Sequence, residues 1–274
     1  MSMRGRFRFL RTFAIAALLL PGASHAAIDL VGSVRNGDRA SALRLIEAGA
    51  DVNQAASDGS TALLWAVHKV DHELVQALLK RGADPDARNV LGASALAEAV
   101  QLGDERLVAM LLQAGAKPDL GNFDAQTPLM LAARMGSLPI AKMLVEAGAD
   151  VNAREEYREQ TALMWAVAAG HAELASWLID KGAEIEIRAA VNDWGNQITS
   201  EPRAQYRAAG GHTPLLIAAR SGCTPCVQRL LDAGANIDRP TPEGVTPLMI
   251  AIDNGQYETA NLLLDRGANP HIAD

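Results

Sequence analysis

The chain of 274 residues carries 25 Lys and Arg against 32 Asp and Glu, a formal net charge of −7. It is 49% hydrophobic but only 4% aromatic, which fits stacked short helices and excludes a disordered or β-rich chain. No stripe of Lys and Arg offsets the acidity, so phosphate backbones and anionic lipid are repelled and nucleic acid is not an expected partner.

The first 26 residues do not read as part of the fold. Arg4, Arg6, Arg8 and Arg11 precede the apolar run Thr12 to Leu20, then Pro21-Gly22 and the small-residue site Ser24-His25-Ala26. That pattern predicts a secretory signal cleaved after Ala26, by the general route because no Arg-Arg pair precedes the apolar run. The alternative is a membrane anchor, but the run is about half the ~20 residues a span needs. No later segment is long or apolar enough. Residues 27–274 are therefore expected in the periplasm, free of the membrane, and loss of the four leader Arg takes the net charge from −7 to −11.

From there the chain repeats. Gly-Ala pairs at Gly49, Gly82, Gly115, Gly148, Gly182, Gly234 and Gly267 are spaced by 33, 33, 33, 34, 52 and 33 residues. A second mark follows each of the first six pairs by twelve or thirteen residues, except across one insertion: Thr61-Ala62-Leu63, Ser94-Ala95-Leu96, Thr127-Pro128-Leu129, Thr161-Ala162-Leu163, Thr213-Pro214-Leu215 and Thr246-Pro247-Leu248. In the unit Thr127 to Ala153, Thr127 offers a helix-capping hydroxyl and Pro128 suits the first helical position. Leu129, Ala132 and Ala133 supply the inner stripe of one helix, which Gly136 ends; Ile140, Leu144 and Val145 supply that of a second, which Gly148 ends. Asp150 to Arg154 forms the turn to the next copy. A fixed period of this length marks a stack of units, none of which can bury its stripe alone.

These motifs resemble the ankyrin repeat. The resemblance implies an all-α solenoid of about seven helix-turn-helix units with β-turn fingers, used for binding proteins. It divides the chain into an N-terminal cap (28–57), repeats at 58–90, 91–123, 124–158 and 159–189, an insertion at 190–210, and repeats at 211–242 and 243–274. The cap lacks the Thr-Pro-Leu opening and is polar at Arg35, Asn36, Asp38, Arg39 and Arg44, as a terminal unit should be. The family places His after Thr-Pro-Leu, where it braces adjoining turns; here Leu64, Ala97, Met130, Met164, Leu216 and Met249 replace it with apolar contact. Trp65 and Trp165 follow and are expected between helices, and Met110, Met130, Met143 and Met164 read as core filler. His171 and Asp71 occupy turn places and are expected to bond locally.

Three features bear on function. The insertion holds Trp194, Arg203, Tyr206 and Arg207; it is either a solvated loop or a contact segment. Cys223 and Cys226, the only cysteines, are expected to form a disulfide in an oxidising compartment. A redox-active pair at a helix N-terminus is the alternative, though the strand-helix setting of such motifs is missing, and metal binding lacks a second ligand pair. Last, Val90 and Leu91, Phe123 and Tyr157 fall at equivalent turn tips, with Trp194 and Tyr206 beyond them. They form the expected partner site, bordered at the ends of first helices by His68-Lys69, Gln101-Leu102, Arg134-Met135 and Arg220-Ser221. Alternatively the tips fold back on neighbouring turns. No nucleophile elbow, phosphate loop or H-E-x-x-H occurs, so neither enzymatic activity nor a cofactor or metal is expected. The expected partner is a protein, basic in character if it complements the chain's charge.

Overall fold

The computed structural model describes residues 29–191 and 210–272. The expected leader lies outside the described residues, as do Trp194 and Tyr206. Among the described residues fourteen helices occur in seven pairs. The first helix of each pair is α1 (Leu30–Asn36), α3 (Ala62–His68), α5 (Ala95–Leu102), α7 (Pro128–Met135), α9 (Ala162–Ala168), α11 (Pro214–Ser221) or α13 (Pro247–Asp253). The second is α2 (Arg39–Glu47), α4 (His72–Lys80), α6 (Glu105–Gln113), α8 (Leu138–Glu146), α10 (Ala172–Asp180), α12 (Thr224–Asp232) or α14 (Tyr257–Asp265). Each first helix packs on the next, and the second helices form an outer layer behind them. The fold is the expected all-α solenoid.

The helix starts follow from the sequence. Thr61, Ser94, Thr127, Thr161, Thr213 and Thr246 each accept the backbone N–H three residues on, at 3.2–3.4 Å. Five residues after each cap stands an alanine, Ala66, Ala99, Ala132, Ala166, Ala218 or Ala251, and all six are fully buried. With only a methyl group at that place, successive first helices can approach closely, so their apolar neighbours form one continuous core. Met130 and Met164 lie wholly within it, and Met110 and Met143 pack against it. The N-terminal unit is more complete than its sequence suggests: Asp29 caps α1 in place of threonine, and α1 and α2 make a full pair.

What fixes one unit on the next is a rung that recurs at every junction. Four residues after each of the first six Gly-Ala pairs stands Asn53, Asp86, Asp119, Asn152, Glu186 or Asp238. Each accepts a backbone N–H of the following unit, from Asp84, Lys117, Asp150, Glu184, Asn236 and Asn269 respectively, at 2.7–3.0 Å. The two asparagines also donate, Asn53 to the Gly82 carbonyl at 3.0 Å and Asn152 to that of Gly182 at 3.1 Å. Burial at the rung raises the Asp119 carboxyl above its ordinary range, and the Asp150 N–H works in the opposite direction.

At the ends of the first helices the chain turns through a left-handed residue. Six units use glycine there, Gly37, Gly103, Gly136, Gly170, Gly222 and Gly255, but the second uses Val70 at φ 56°. His171 corrects one expectation. It does not cap its own turn but reaches back to the preceding unit, Nε2 lying 3.1 Å from the Arg134 carbonyl, with its ring over Gly136. Asp71 does bond locally, accepting the Leu74 N–H at 3.0 Å. Cys223 and Cys226 are joined in a disulfide at the start of α12, 7% and 1% exposed. Both residues are thus nearly buried, which suits a structural clip.

Two outcomes are expected. Asn152→Ala removes both bonds of one junction rung at a partly exposed place and should cost about 1–2 kcal/mol; hydrogen exchange should show the loss centred on 150–185. Val70→Gly should stabilise the protein. The left-handed β-branched residue costs roughly 1–3 kcal/mol and glycine's extra freedom in the unfolded chain roughly 0.5–1 kcal/mol, leaving a gain of about 1 kcal/mol, readable by chemical denaturation.

Candidate functional site

Successive units project fingers along one edge, and each finger is tied at its base. Ala55 pairs with Thr61, Arg88 with Ser94 and Val191 with Gly210 in short antiparallel bridges. Tip to tip, the Val90 N–H donates to the Asp58 carbonyl, Glu156 to Asp124 and Ala190 to Arg158, at 2.7–2.8 Å. Arginines run beneath: Arg88 donates to the Gly121 carbonyl at 3.1 Å, Arg154 to Arg188 at 2.8 Å, and Arg188 to Gly211 at 2.8 Å and to Pro240 at 2.7 Å. Burial, with smaller contributions from charges nearby, pushes the Arg188 guanidinium below its ordinary value.

The loops over the tips are closed by side chains. Asn89 Oδ1 accepts the N–H groups of Leu91 and Ala93, and Asn122 Oδ1 those of Asp124 and Gln126, all at 3.0 Å. In the unit one residue longer the same place holds Glu155. Its buried carboxylate accepts from Tyr157 and Arg158 at 2.8 Å and from Gln160 at 3.2 Å. The longer glutamate side chain spans the lengthened tip, which accounts for the single spacing of 34.

On these rigid fingers the sequence-selected residues stand out into solvent: Val90 61%, Leu91 76%, Phe123 61% and Tyr157 78% exposed, with Val191 in the same row at 54%. The fold-back alternative applies only in part to Phe123, whose ring leans on Gly92 and lies under Arg88, 5.7 Å from the guanidinium carbon to the ring centre. Arg158 covers Tyr157 similarly at 5.9 Å. The insertion leaves from Val191 and returns at Gly210. By alignment on the Gly-Ala pairs Val191 matches Leu91, so the extra residues enter the sequence at a fingertip position; Trp194 and Tyr206 lie outside the described residues. At its base the Ala189 N–H donates to the His212 carbonyl at 3.0 Å. Burial, aided by Arg220 and Arg188 and opposed by Glu243, keeps the His212 imidazole below its usual pKa.

His68 and Arg134 are not a loose rim. Each ends a first helix, roughly 10 Å from the fingers by helix rise, and each engages the following unit. His68 Nδ1 lies 2.7 Å from Glu98 Oε1, and the Arg134 guanidinium covers Trp165 at 5.3 Å. Between tips and helix ends runs a row the sequence reading did not select, four residues past each cap: Trp65, Glu98, Leu131, Trp165, Ile217 and Ile250. Trp65 and Trp165 pack against the core as expected. Their indole N–H groups are buried with no hydrogen-bond partner among the described residues. The signal for this row was the alignment of Trp65 with Trp165, for which packing was favoured over a ligand platform.

Among the described residues no group of His, Cys, Asp and Glu could hold a metal ion, and no helix is long and apolar enough to cross a membrane. Three copies of the family model "Ankyrin repeats (3 copies)" match residues 30–122, 96–189 and 195–274. The crystal structure of the human ASB11 ankyrin repeat domain superposes with a TM-score of 0.69 and 23% identity, covering 88% of this chain and 98% of that one. A search of curated proteins found no match. Ankyrin repeats in general serve as protein-interaction modules. With tandem helix pairs, bonded fingers and family matches spanning nearly all of the described residues, the chain belongs to the ankyrin repeat family.

Proposed function

We propose that the chain is an exported, periplasmic protein-binding module that presents its fingertips and first helices to a partner protein. The observation that carries this reading is the row Val90, Leu91, Phe123 and Tyr157, each more than half exposed on fingers whose backbone is already fixed. Large apolar side chains held rigidly in solvent lose little entropy on binding and desolvate readily, the properties of interface anchors. The leader supports export, and the buried Cys223–Cys226 bond suits an oxidising compartment.

Two measurements test this. Against a partner isolated from periplasmic extract and then purified, Phe123→Ala and Tyr157→Ala should each cost about 1–3 kcal/mol of binding and leave unfolding unchanged. Equal losses of stability with unchanged affinity would assign the rings to the scaffold. For export, the mass of protein recovered from a Gram-negative periplasm should correspond to a chain starting at Ala27; intact Met1 on protein retained in the cytoplasm would refute it.

A further inference from the structure

A pocket of about 150 Å³ opens between α3, α5 and the finger that precedes α5. Leu64, Trp65 and Ala93 form its apolar wall, and His68, Asn89 and Glu98 its polar rim. It is well below the roughly 300–1,000 Å³ of sites for drug-sized ligands, and matches the end of one long side chain. Within it a carboxylate, Glu98, with its side chain 23% exposed, stands beside a tryptophan ring. The imidazole of His68 fills the space between them. It meets Trp65 edge-on at 5.6 Å and 89°, and its Nδ1 lies 2.7 Å from Glu98. With its side chain 56% exposed, His68 is held by these two contacts and not by enclosure.

The scaffold already shows what this register can hold. Trp165 stands at the same place in its unit as Trp65, and there Arg134 of the preceding unit lays its guanidinium over the ring at 5.3 Å. The residue matching Arg134 in the first unit is Arg35, since each lies two residues before the left-handed glycine that ends its helix. Arg35 makes no such stack on Trp65 among the described residues. The Ser60 N–H, donated at 2.9 Å, holds the Asp58 carboxyl below its ordinary range, and the charge of Arg35 adds to that effect. Trp65 thus has the neighbouring carboxylate that a cation site needs, while its own unit stack supplies only a displaceable histidine.

Resting on the protein-binding reading, we propose that this pocket takes an arginine or lysine side chain of the partner, its cation stacked on Trp65 and paired with Glu98 in place of His68. A ring face and a carboxylate together favour a cation over any neutral side chain, and partial desolvation strengthens both interactions. The net charge of −7 favours a basic partner in the same sense.

The test is an NMR titration of the protein with N-acetyl-arginine amide and N-acetyl-lysine amide, followed at the tryptophan indole N–H resonances, with the neutral N-acetyl-citrulline amide as control. The cationic amides are expected to shift the Trp65 resonance saturably and leave that of Trp165 in place. Glu98→Gln should weaken the effect at least about fivefold, and His68→Ala, which frees Glu98, should strengthen it about twofold. An equal response to the citrulline amide, or an affinity untouched by Glu98→Gln, overturns the proposal. The parent reading is separable. If Phe123→Ala weakens binding of the purified partner while Glu98→Gln does not, the fingertips stand and the pocket falls. If no partner is captured but Trp65 still follows the arginine amide, the pocket stands and the protein-binding reading falls.

Discussion

Everything in this molecule depends on one hydrogen bond repeated at each of its junctions. A unit of some thirty residues cannot bury its apolar stripe alone, so it has no independent core. It gains one only when its neighbour lies against it in a single register. The acceptor four residues past each of the first six Gly-Ala pairs, from Asn53 to Asp238, meets the N–H of the next unit at that register. Hydrophobic contact supplies the attraction between layers but is indifferent to small slips. The directional bond removes that freedom and places the buried alanines of successive first helices opposite one another.

With the base of each finger so fixed, its tip is free to vary. Tip loops there are closed by Asn89, Asn122 or Glu155, each bonding only its own finger. Because those closures are local, a finger can gain a residue, as at Glu155, or a long outgrowth, as between Val191 and Gly210, without shifting the layers behind it. Arg88, Arg154 and Arg188 then tie finger to finger through carbonyl groups, which any residue supplies. Rigidity at the tips is thus obtained without constraining which side chains they carry. That division permits Val90, Leu91, Phe123 and Tyr157 to project into water.

The parts legible in the sequence were those set by short-range chemistry. Thr-Pro-Leu announces a capped helix because threonine, proline and leucine each do one thing at fixed offsets, and the Gly-Ala pairs mark where a left-handed residue is required. The exposed tips were legible because an aromatic residue in a turn conflicts with the polar surroundings expected there. Contacts between units were not. Asn152 read as a turn residue because its partner is 32 positions away, and nothing in one unit tells which way a side chain will reach. His171 misled for the same reason. The row through Trp65, Glu98 and Trp165 was hidden because packing and recognition use the same ring, and only the neighbouring helix decides how much of it is covered.

The departures from regularity have a common location. Val70 holds a left-handed turn at the end of α3, and Ala125 and Glu159 hold left-handed places in the fingers where Gly59 and Gly92 stand in other units. The 34-residue spacing and the insertion also fall in fingers. The six junction rungs, by contrast, depart only in the choice among Asn, Asp and Glu, all of which can accept. A strained or altered residue at a rung would misplace two layers and every layer beyond them, whereas at a fingertip or helix end it alters one local turn. Strain and variety therefore collect on the side of the solenoid where the first helices and fingers meet solvent, the same side on which Trp65, Glu98 and the exposed tips lie.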